Sequence, residues 1–251
     1  MPRGHDLGMT ADWWLDEMAF AGPEHLDPEF VAGYERKAGF RRDDGAPSDE
    51  DGEIAADLAA LRASGMTSES TVVDLGAGTG RFTLAVAPHV RRVVAVDVSP
   101  AMLDVLAARV TSEGWRNVEC VRAGFLSYEH TGAPADVVHT RNALHQLPDF
   151  WKALALRRIA GLLRPGGVLR LRDLVYDADP GEVETVFSRW FQHAVDDSAR
   201  GYTAHDLAEH VRTEFSTFRW LLEPMVDRAG FEVVDSAFVG SVYAAYTCRR
   251  R

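Results

Sequence analysis

The chain has 251 residues, of which 46% are hydrophobic and 26% are charged, a composition typical of a globular domain. Its 27 basic and 38 acidic residues give a net charge of −11, so it lacks the overall basic surface that favours nucleic-acid binding. The two cysteines, Cys120 and Cys248, exclude a disulfide framework and a cysteine-rich zinc cluster, and no apolar run is long enough to span a membrane. We therefore expect a soluble cytoplasmic protein with no nucleic-acid or membrane partner.

The first 62 residues are predicted to form a helical N-terminal cap segment that contains an acidic loop. Short helices are expected over 10–19 and 27–38, the second one capped by Asp27. The polar and acidic segment 41–53 is typical of a solvated loop. A helix of about ten residues is expected to follow from Glu53, with its apolar residues on one face.

From Thr71 onward, short apolar runs alternate with helical periods. The runs are β-branched and nearly continuous, as expected of parallel strands that are covered on both faces. Repeated strand–helix units predict an α/β fold with a Rossmann-like, doubly wound sheet. The predicted strands are 71–75, 92–96, 117–121, 135–140 and 167–171, and the predicted helices are 80–89, 100–113 and 149–162, the last ending at a turn over 164–167.

Residues 63–251 are predicted to form this domain, with a helical insertion at about 177–215. The segment 182–195 is amphipathic, and a second helix is expected to begin at Thr203. The end of the chain is predicted to contain a helix over 217–229 followed by Gly230 as its cap. Two further strands, 231–238 and 241–249, are close enough in sequence to form an antiparallel hairpin.

The segment VVDLGAGTGRF (72–82) carries the clearest functional signal. A predicted strand ends at Asp74, three glycines follow at alternate positions, and a helix begins. Glycines let the backbone turn tightly and approach a ligand closely, and the start of the helix offers N–H groups to an anionic group. Seventeen residues beyond Gly80, Asp97 ends the second predicted strand, where a carboxylate can accept both hydroxyls of a ribose. The dinucleotide pattern GxGxxG fails because its third position is Arg81.

Three motifs together resemble the class I S-adenosylmethionine-dependent methyltransferases, and they are closest to the small-molecule (type 11, ubiquinone-biosynthesis-like) branch. They are DxGxGxG at 74–80, VVAVDVSPAML at 93–103 and LLRPGGVLRL at 162–171. The resemblance implies S-adenosylmethionine as the cofactor. It also implies a seven-stranded sheet of order 3-2-1-4-5-7-6 whose last strand is antiparallel, with ligands at the C-terminal ends of the strands.

The resemblance also implies roles for individual residues. The methionine part of the cofactor is expected beside the glycines, the ribose beside Asp97, and the adenine near Val98 and Met102. Members of the family often have an acidic residue after the third strand that contacts the adenine amino group, but this sequence has Gly124 and Phe125 at that place. The implied cofactor-binding residues are Asp74, Gly76, Ala77, Gly78, Gly80, Asp97, Val98, Met102, Gly124, Phe125 and Arg141, the last through backbone carbonyls at the end of the fourth strand.

His145 and Asp173 are the candidate catalytic residues, because they follow the fourth and fifth predicted strands at the edge where ligands are expected. A histidine can take a proton from a hydroxyl group, so His145 is predicted to act as a general base or to orient the acceptor; shaping its own loop is the alternative. Asp173 either faces the acceptor or accepts a local hydrogen bond. Tyr34 either closes over the cofactor carboxylate or serves only for packing.

We predict no metal site, because His193, His205 and His210 lack the spacing of four that places two ligands on one helix face. The first functional prediction is an enzyme that transfers a methyl group to an O, N or C atom of a small organic acceptor. A non-catalytic cofactor-binding protein and a nicotinamide-dependent oxidoreductase are the alternatives. Both a monomer and a homodimer stay open.

Overall fold

The computed structural model describes residues 12–37, 49–198 and 201–251. The strands are β1 (Thr71–Leu75), β2 (Arg92–Asp97), β3 (Val118–Arg122), β4 (Ala135–Arg141), β5 (Leu163–Tyr176), β6 (Thr217–Phe218), β7 (Phe231–Val239) and β8 (Tyr243–Arg250). Seven of them form one sheet of order β3-β2-β1-β4-β5-β8-β7, and the short β6 pairs with the end of β5. Strand β8 runs antiparallel to both of its neighbours. The predicted Rossmann-like order with an antiparallel last strand is confirmed.

Helices cover both faces of this sheet. They are α1 (Pro23–Leu26), α2 (Pro28–Lys37), α3 (Asp49–Ala63), α4 (Arg81–Val86), α5 (Pro100–Glu113), α6 (Asp149–Leu162), α7 (Val183–Phe191), α8 (Ala204–Thr213) and α9 (Arg219–Ala229). Val72 packs in a core cluster with residues of α3 and α4, whereas the adjacent Val73 packs in a cluster with residues of α6 and α9. Because alternate side chains enter two different cores, the strands are apolar at nearly every position.

Several helix ends follow the predicted capping rules. Asp27 Oδ1 accepts a hydrogen bond from the Glu29 N–H at 2.8 Å at the start of α2. At the start of α5, Ser99 Oγ accepts from the Met102 N–H at 3.1 Å. Helix α9 ends at Gly230, whose φ of +101° fits the left-handed position after a helix.

The N-terminal predictions are partly wrong. In the described part of 10–19 there is one 3₁₀ turn, Glu17–Phe20, rather than a helix. Trp13 and Trp14 both pack against Trp151, with ring centroids 6.0 and 5.5 Å apart, so tertiary contacts replace helix formation here. Residues 49–53 were predicted as loop but begin α3, since acidic residues are favoured in the first turn of a helix.

Two predicted boundaries in the sheet domain also change. Strand β5 begins at Leu163 and continues through the predicted turn at 164–167, with an irregular register opposite β4, where Ala135 pairs with Leu163 and Val137 with Val168. The helix predicted over 217–229 begins two residues later, because Thr217 and Phe218 pair with β5 as β6. The helix predicted over 80–89 is α4 followed by a 3₁₀ turn at Ala87–His89.

The insertion forms α7 and α8, and the hairpin β7–β8 is present as predicted. Trp190 of α7 and Leu207 of α8 pack in one cluster with Leu174 and Tyr176 of β5. Helix α3 ends one residue beyond the predicted boundary at residue 62, and its Leu61 is fully buried in the sheet core. Within the described ranges, every helix is too short or too polar to cross a bilayer.

Candidate functional site

The glycine-rich loop, residues 76–80, connects β1 to α4 through three left-handed backbone positions. Gly76, Gly78 and Gly80 have φ angles of +73°, +54° and +90°, which residues with a side chain rarely adopt. A Cβ atom at Gly76 would also overlap with the Cβ of Ala143 in the loop after β4. The turn and the close approach of two loops therefore both require glycine.

The N–H groups of residues 76–78 all donate hydrogen bonds within the protein. Gly76 and Ala77 both donate to the carbonyl of Val96, at 2.9 and 3.0 Å. Gly78 donates to Asp97 Oδ2 at 2.8 Å. These three N–H groups are therefore not free to bind a ligand, whereas the N–H groups expected to face an anionic group are those at the start of α4. The glycines of the loop leave its backbone without side chains, and a ligand can therefore approach that backbone closely.

Asp97 is fixed at the end of β2 by the backbone around it. Its Oδ2 accepts from Gly78 and its Oδ1 accepts from the Ser99 N–H, each at 2.8 Å. Burial raises the pKa of Asp97, although these two hydrogen bonds favour the charged form. Each carboxylate oxygen has a second lone pair, so the side chain can accept two more hydrogen bonds without moving.

Asp74 belongs to a buried charged group beneath the glycine-rich loop. Thr83 Oγ1 donates to Asp74 Oδ2 at 2.6 Å, and His139 Nδ1 lies 2.8 Å from Asp74 Oδ1. The His139 ring stacks on Phe82 with a centroid distance of 3.4 Å, and its Nε2 faces Asp57 at 3.7 Å. Burial opposes a charge on His139, but Asp57 and Asp74 outweigh it and raise the pKa of the imidazole.

Two adjoining cavities lie at the C-terminal ends of the parallel strands. Their volumes are about 720 and 460 Å³, including space open to solvent, and Gly76, Gly78 and Arg141 line both. Among the other predicted cofactor residues, Asp97, Val98, Met102, Gly124 and Phe125 line the larger cavity, and Asp74 and Ala77 line the smaller one. The sheet thus brings ten of the eleven predicted cofactor residues to one place.

Gly80 is the exception among these residues. Among the described residues around the two cavities it is not a lining residue, and a Cβ added to it would overlap with Leu106 Cδ1 of α5. Helix packing and the positive φ account for glycine at this position.

Helix α3 supplies acidic partners for the arginines of β4 and β5. Glu53 pairs with Arg141 and, at 3.0 Å, with Arg172 Nη1. The buried Asp57 accepts from Arg170 Nε at 2.7 Å. Burial opposes the charge on Asp57, but His139, Arg170 and Arg172 together hold the pKa of this carboxyl below its usual range.

Sequence reasoning missed Glu17, which forms part of the wall of the larger cavity. Its carboxylate accepts from the Leu126 N–H and from Ser127 Oγ, each at 3.0 Å. It fills the space beside Gly124, where an added Cβ would lie 2.6 Å from Glu17 Oε2. Burial raises the pKa of Glu17. An acidic group is therefore present after β3, but it comes from the N-terminal segment, so no local pattern could reveal it.

His25 and Tyr34 line the larger cavity from the same side, and Tyr34 also lines the smaller one. Their rings meet edge to face with centroids 5.3 Å apart. The Ser99 hydroxyl donates to the carbonyl of His25 and so ties α1 to α5. Tyr34 lies close to the glycine-rich loop, and its contact with a cofactor carboxylate stays a prediction.

His145 and Asp173, the two candidate catalytic residues, form a buried pair, and neither of them lines either cavity. Asp173 Oδ1 lies 2.5 Å from His145 Nδ1, and Asp173 Oδ2 accepts from the His145 N–H at 3.0 Å. On its other side, His145 Nε2 lies 2.9 Å from Glu214 Oε2. The neighbouring Gln146 lines the cavity, and its amide nitrogen lies 3.2 Å from His145 Nε2.

This environment favours a charged imidazole. Burial opposes the charge, but the carboxylates of Asp173 and Glu214 outweigh burial and raise the pKa of His145 to about 10. Glu214 also contacts His210 Nδ1 at 2.5 Å, and the two histidines together lower its pKa against the effect of burial. Sequence reasoning missed Glu214, although His210 and Glu214 have the i,i+4 spacing of neighbours on a helix.

Comparison with known proteins finds a family match over the middle of the chain. Residues 72–167 match the family described as a methyltransferase domain. The uncharacterized methyltransferase YcgJ of Bacillus subtilis is 30% identical over 113 residues, which cover 45% of this chain and 44% of that protein. A methyltransferase-like protein of Schizosaccharomyces pombe is 34% identical, over 37% of its length. The chain thus spans less than half the length of these two curated relatives.

Solved structures share the fold over more of the chain. The crystal structure of YcgJ has a TM-score of 0.59 at 17% identity and covers 78% of this chain and 99% of that one. At 17% identity, this similarity to YcgJ concerns the fold alone.

Proposed function

We propose that this chain, which carries a class I S-adenosylmethionine-dependent methyltransferase domain, transfers a methyl group from that cofactor to a small organic acceptor. The observation that carries the proposal is the larger cavity, where the glycine-rich loop, Asp97 and the residues after β3 meet at one edge of the sheet.

The residues around the cavity fit S-adenosylmethionine along its length. Gly78, where an added Cβ would have nothing within 4 Å, leaves room for the methionine part beside the backbone. The fixed carboxylate of Asp97 is proposed to accept the two ribose hydroxyls. The buried Met102 and the half-buried Val98 supply apolar contact for the adenine ring. When bound, the cofactor supplies a methyl group on a positively charged sulfur, which is a good leaving group.

For this chemistry the protein must chiefly align the acceptor with the methyl group, and alignment alone can supply a large part of the rate enhancement. We propose that His145 orients the acceptor side of the cavity through Gln146 rather than acting as a free base. Both of its ring nitrogens already have carboxylate partners, Asp173 and Glu214. Asp173 is then a positioning residue that fixes the ring.

The test begins with calorimetry of the full chain and S-adenosylmethionine. Replacing Asp97 with Asn is expected to weaken binding roughly 10- to 100-fold, the effect of losing hydrogen bonds to a charged group. Asp104→Asn is the matched control, because this residue is exposed on α5 away from both cavities. Equal affinities of the two variants would contradict the proposed ribose contact.

Transfer is then measured with cofactor labelled in the methyl group and a panel of hydroxyl, amine and activated-carbon acceptors. Transfer to a member of the panel that His145→Ala slows, with cofactor affinity unchanged, is the expected result. Cofactor binding without transfer to any acceptor would favour a non-catalytic binding protein. Binding of NADH without binding of S-adenosylmethionine would favour an oxidoreductase.

A further inference from the structure

His145, His210 and Glu214 meet at one point although they come from separate parts of the chain. His145 lies in the loop after β4, His210 in α8, and Glu214 directly after that helix. One ligand atom from each lies within 4.8 Å of the other two. Two imidazole nitrogens and one carboxylate oxygen are ligands that zinc and similar divalent ions take in proteins.

The backbone holds this group together independently of its side chains. The Phe215 N–H donates to the carbonyl of His145 at 2.9 Å, so the residue after Glu214 is tied to the loop after β4. The two imidazole rings meet with centroids 5.2 Å apart, and Trp190 of α7 packs edge-on against His210 at 5.9 Å.

Each histidine also has an oxygen partner on the nitrogen that points away from the group. Asp173 lies beside Nδ1 of His145, and Ser216 Oγ lies 2.8 Å from Nε2 of His210. Oxygen partners of this kind fix the tautomer of metal-binding histidines and direct the remaining lone pair to the ion. The two histidines can therefore present Nε2 and Nδ1, respectively, toward the same point beside Glu214, with the ion replacing the proton that the charged His145 ring carries on Nε2.

We propose that His145, His210 and Glu214 bind one divalent transition-metal ion of the Zn²⁺ class. Small shifts of the three side chains would open the space that metal–nitrogen distances of about 2.0–2.1 Å require. Three protein ligands leave a fourth position for water. The double positive charge balances the carboxylates of Asp173 and Glu214.

This proposal replaces the expectation of no metal. The histidines of the insertion lack a metal-binding spacing among themselves, but the tertiary structure brings His145 from the loop after β4 beside His210. The proposal goes beyond methyl transfer and does not depend on it.

The test uses the metal-free full chain, with neither cofactor nor acceptor present. Co²⁺ is titrated while the visible absorption of a four-coordinate site is recorded, and Zn²⁺ is then added as a competitor. The wild-type chain is expected to bind one equivalent of each ion. His210→Ala is expected to abolish the absorption, whereas His205→Ala, an exposed position on the same helix, is expected to leave it unchanged.

Two further variants separate metal binding from loss of folding. Glu214→Gln preserves the size of the side chain and is expected to weaken Zn²⁺ binding strongly with an unchanged circular dichroism spectrum. Ser216→Ala removes the hydroxyl beside His210 Nε2, which also bonds to the Tyr176 side chain, and it is expected to weaken Zn²⁺ binding roughly 10- to 100-fold. The proposal is overturned if the wild-type chain, His205→Ala and folded His210→Ala bind Co²⁺ equally, or if none of them binds it. The affinity for S-adenosylmethionine is measured in a separate experiment, so a failure of the proposed metal site can be distinguished from a failure of the proposed methyl transfer.

Discussion

Replacing Gly80 with Ala is the sharpest test of the geometry of the glycine-rich loop. Its φ of +90° imposes a conformational penalty of about 1–2 kcal/mol on an L residue. The new Cβ would overlap with Leu106 Cδ1 and lie 3.0 Å from Leu106 Cγ. Rotation about the Cβ–Cγ bond moves Cδ1 but leaves Cγ in place, and rotation about the Cα–Cβ bond must displace neighbouring side chains because Leu106 is fully buried.

Overpacking of this kind costs about 1–3 kcal/mol in addition to the backbone penalty. The two effects sum to a loss of roughly 2–5 kcal/mol in the free energy of unfolding. Gly114→Ala is the matched control, because Gly114 has a φ of +76° at the end of α5 but nothing within 4 Å of an added Cβ. It should therefore lose only about 1–2 kcal/mol.

The assay is urea denaturation of both variants and the wild-type chain at neutral pH, followed by circular dichroism. The informative quantity is the difference between the two variants, which reports the contact with Leu106 alone. A Gly80→Ala variant that is no less stable than Gly114→Ala would refute the packing of this loop against α5.

Two other predictions concern buried or half-buried carboxylates. Asp57→Asn should reduce stability at neutral pH by about 3 kcal/mol or more, since it removes the charged partner of Arg170. The folded-state pKa of Asp57 lies below the unfolded value of about 3.9, so the stability that its charged form contributes is complete above about pH 3.9 and is lost as the pH falls through the folded pKa. The urea midpoints of wild type and variant should therefore converge in acid. A difference between the midpoints that stays constant with pH would contradict this prediction. Glu17→Ala should weaken binding of S-adenosylhomocysteine roughly 10-fold but leave binding of its deaminated analogue unchanged, because only the adenine form offers an amino group to this carboxylate. Calorimetry with both ligands is the measurement. Equal losses of affinity for the two ligands would show that Glu17 does not bind the adenine amino group.

The sheet and the glycine-rich loop were predictable because their signals are local. Continuous β-branched runs, the Ser99–Pro100 helix start and the Gly230 cap each depend on neighbouring residues. The course of β5 through 164–167 was not predictable, since these residues form an irregular stretch between the pairs Ala135–Leu163 and Val137–Val168 that the strand makes with β4.

The candidate site divides in the same way. Asp97 stands out in the sequence because it ends a strand at a fixed distance from the glycines. Glu17 and Glu214 do not, because each acts on a partner that the fold brings from far along the chain. His210 has no metal-binding spacing to the other histidines of the insertion, and its contact with His145 arises only when the chain folds.

The contribution of Glu17, His25 and Tyr34 to the larger cavity bears on how relatives of this chain can differ. All three residues precede the segment 72–167 that matches the methyltransferase-domain family. Sequence divergence in the residues before the matched segment can therefore change the shape of the larger cavity while the residues contributed by the sheet stay the same. Exchanging residues 12–37 between two such proteins offers a direct route to altering which molecules enter.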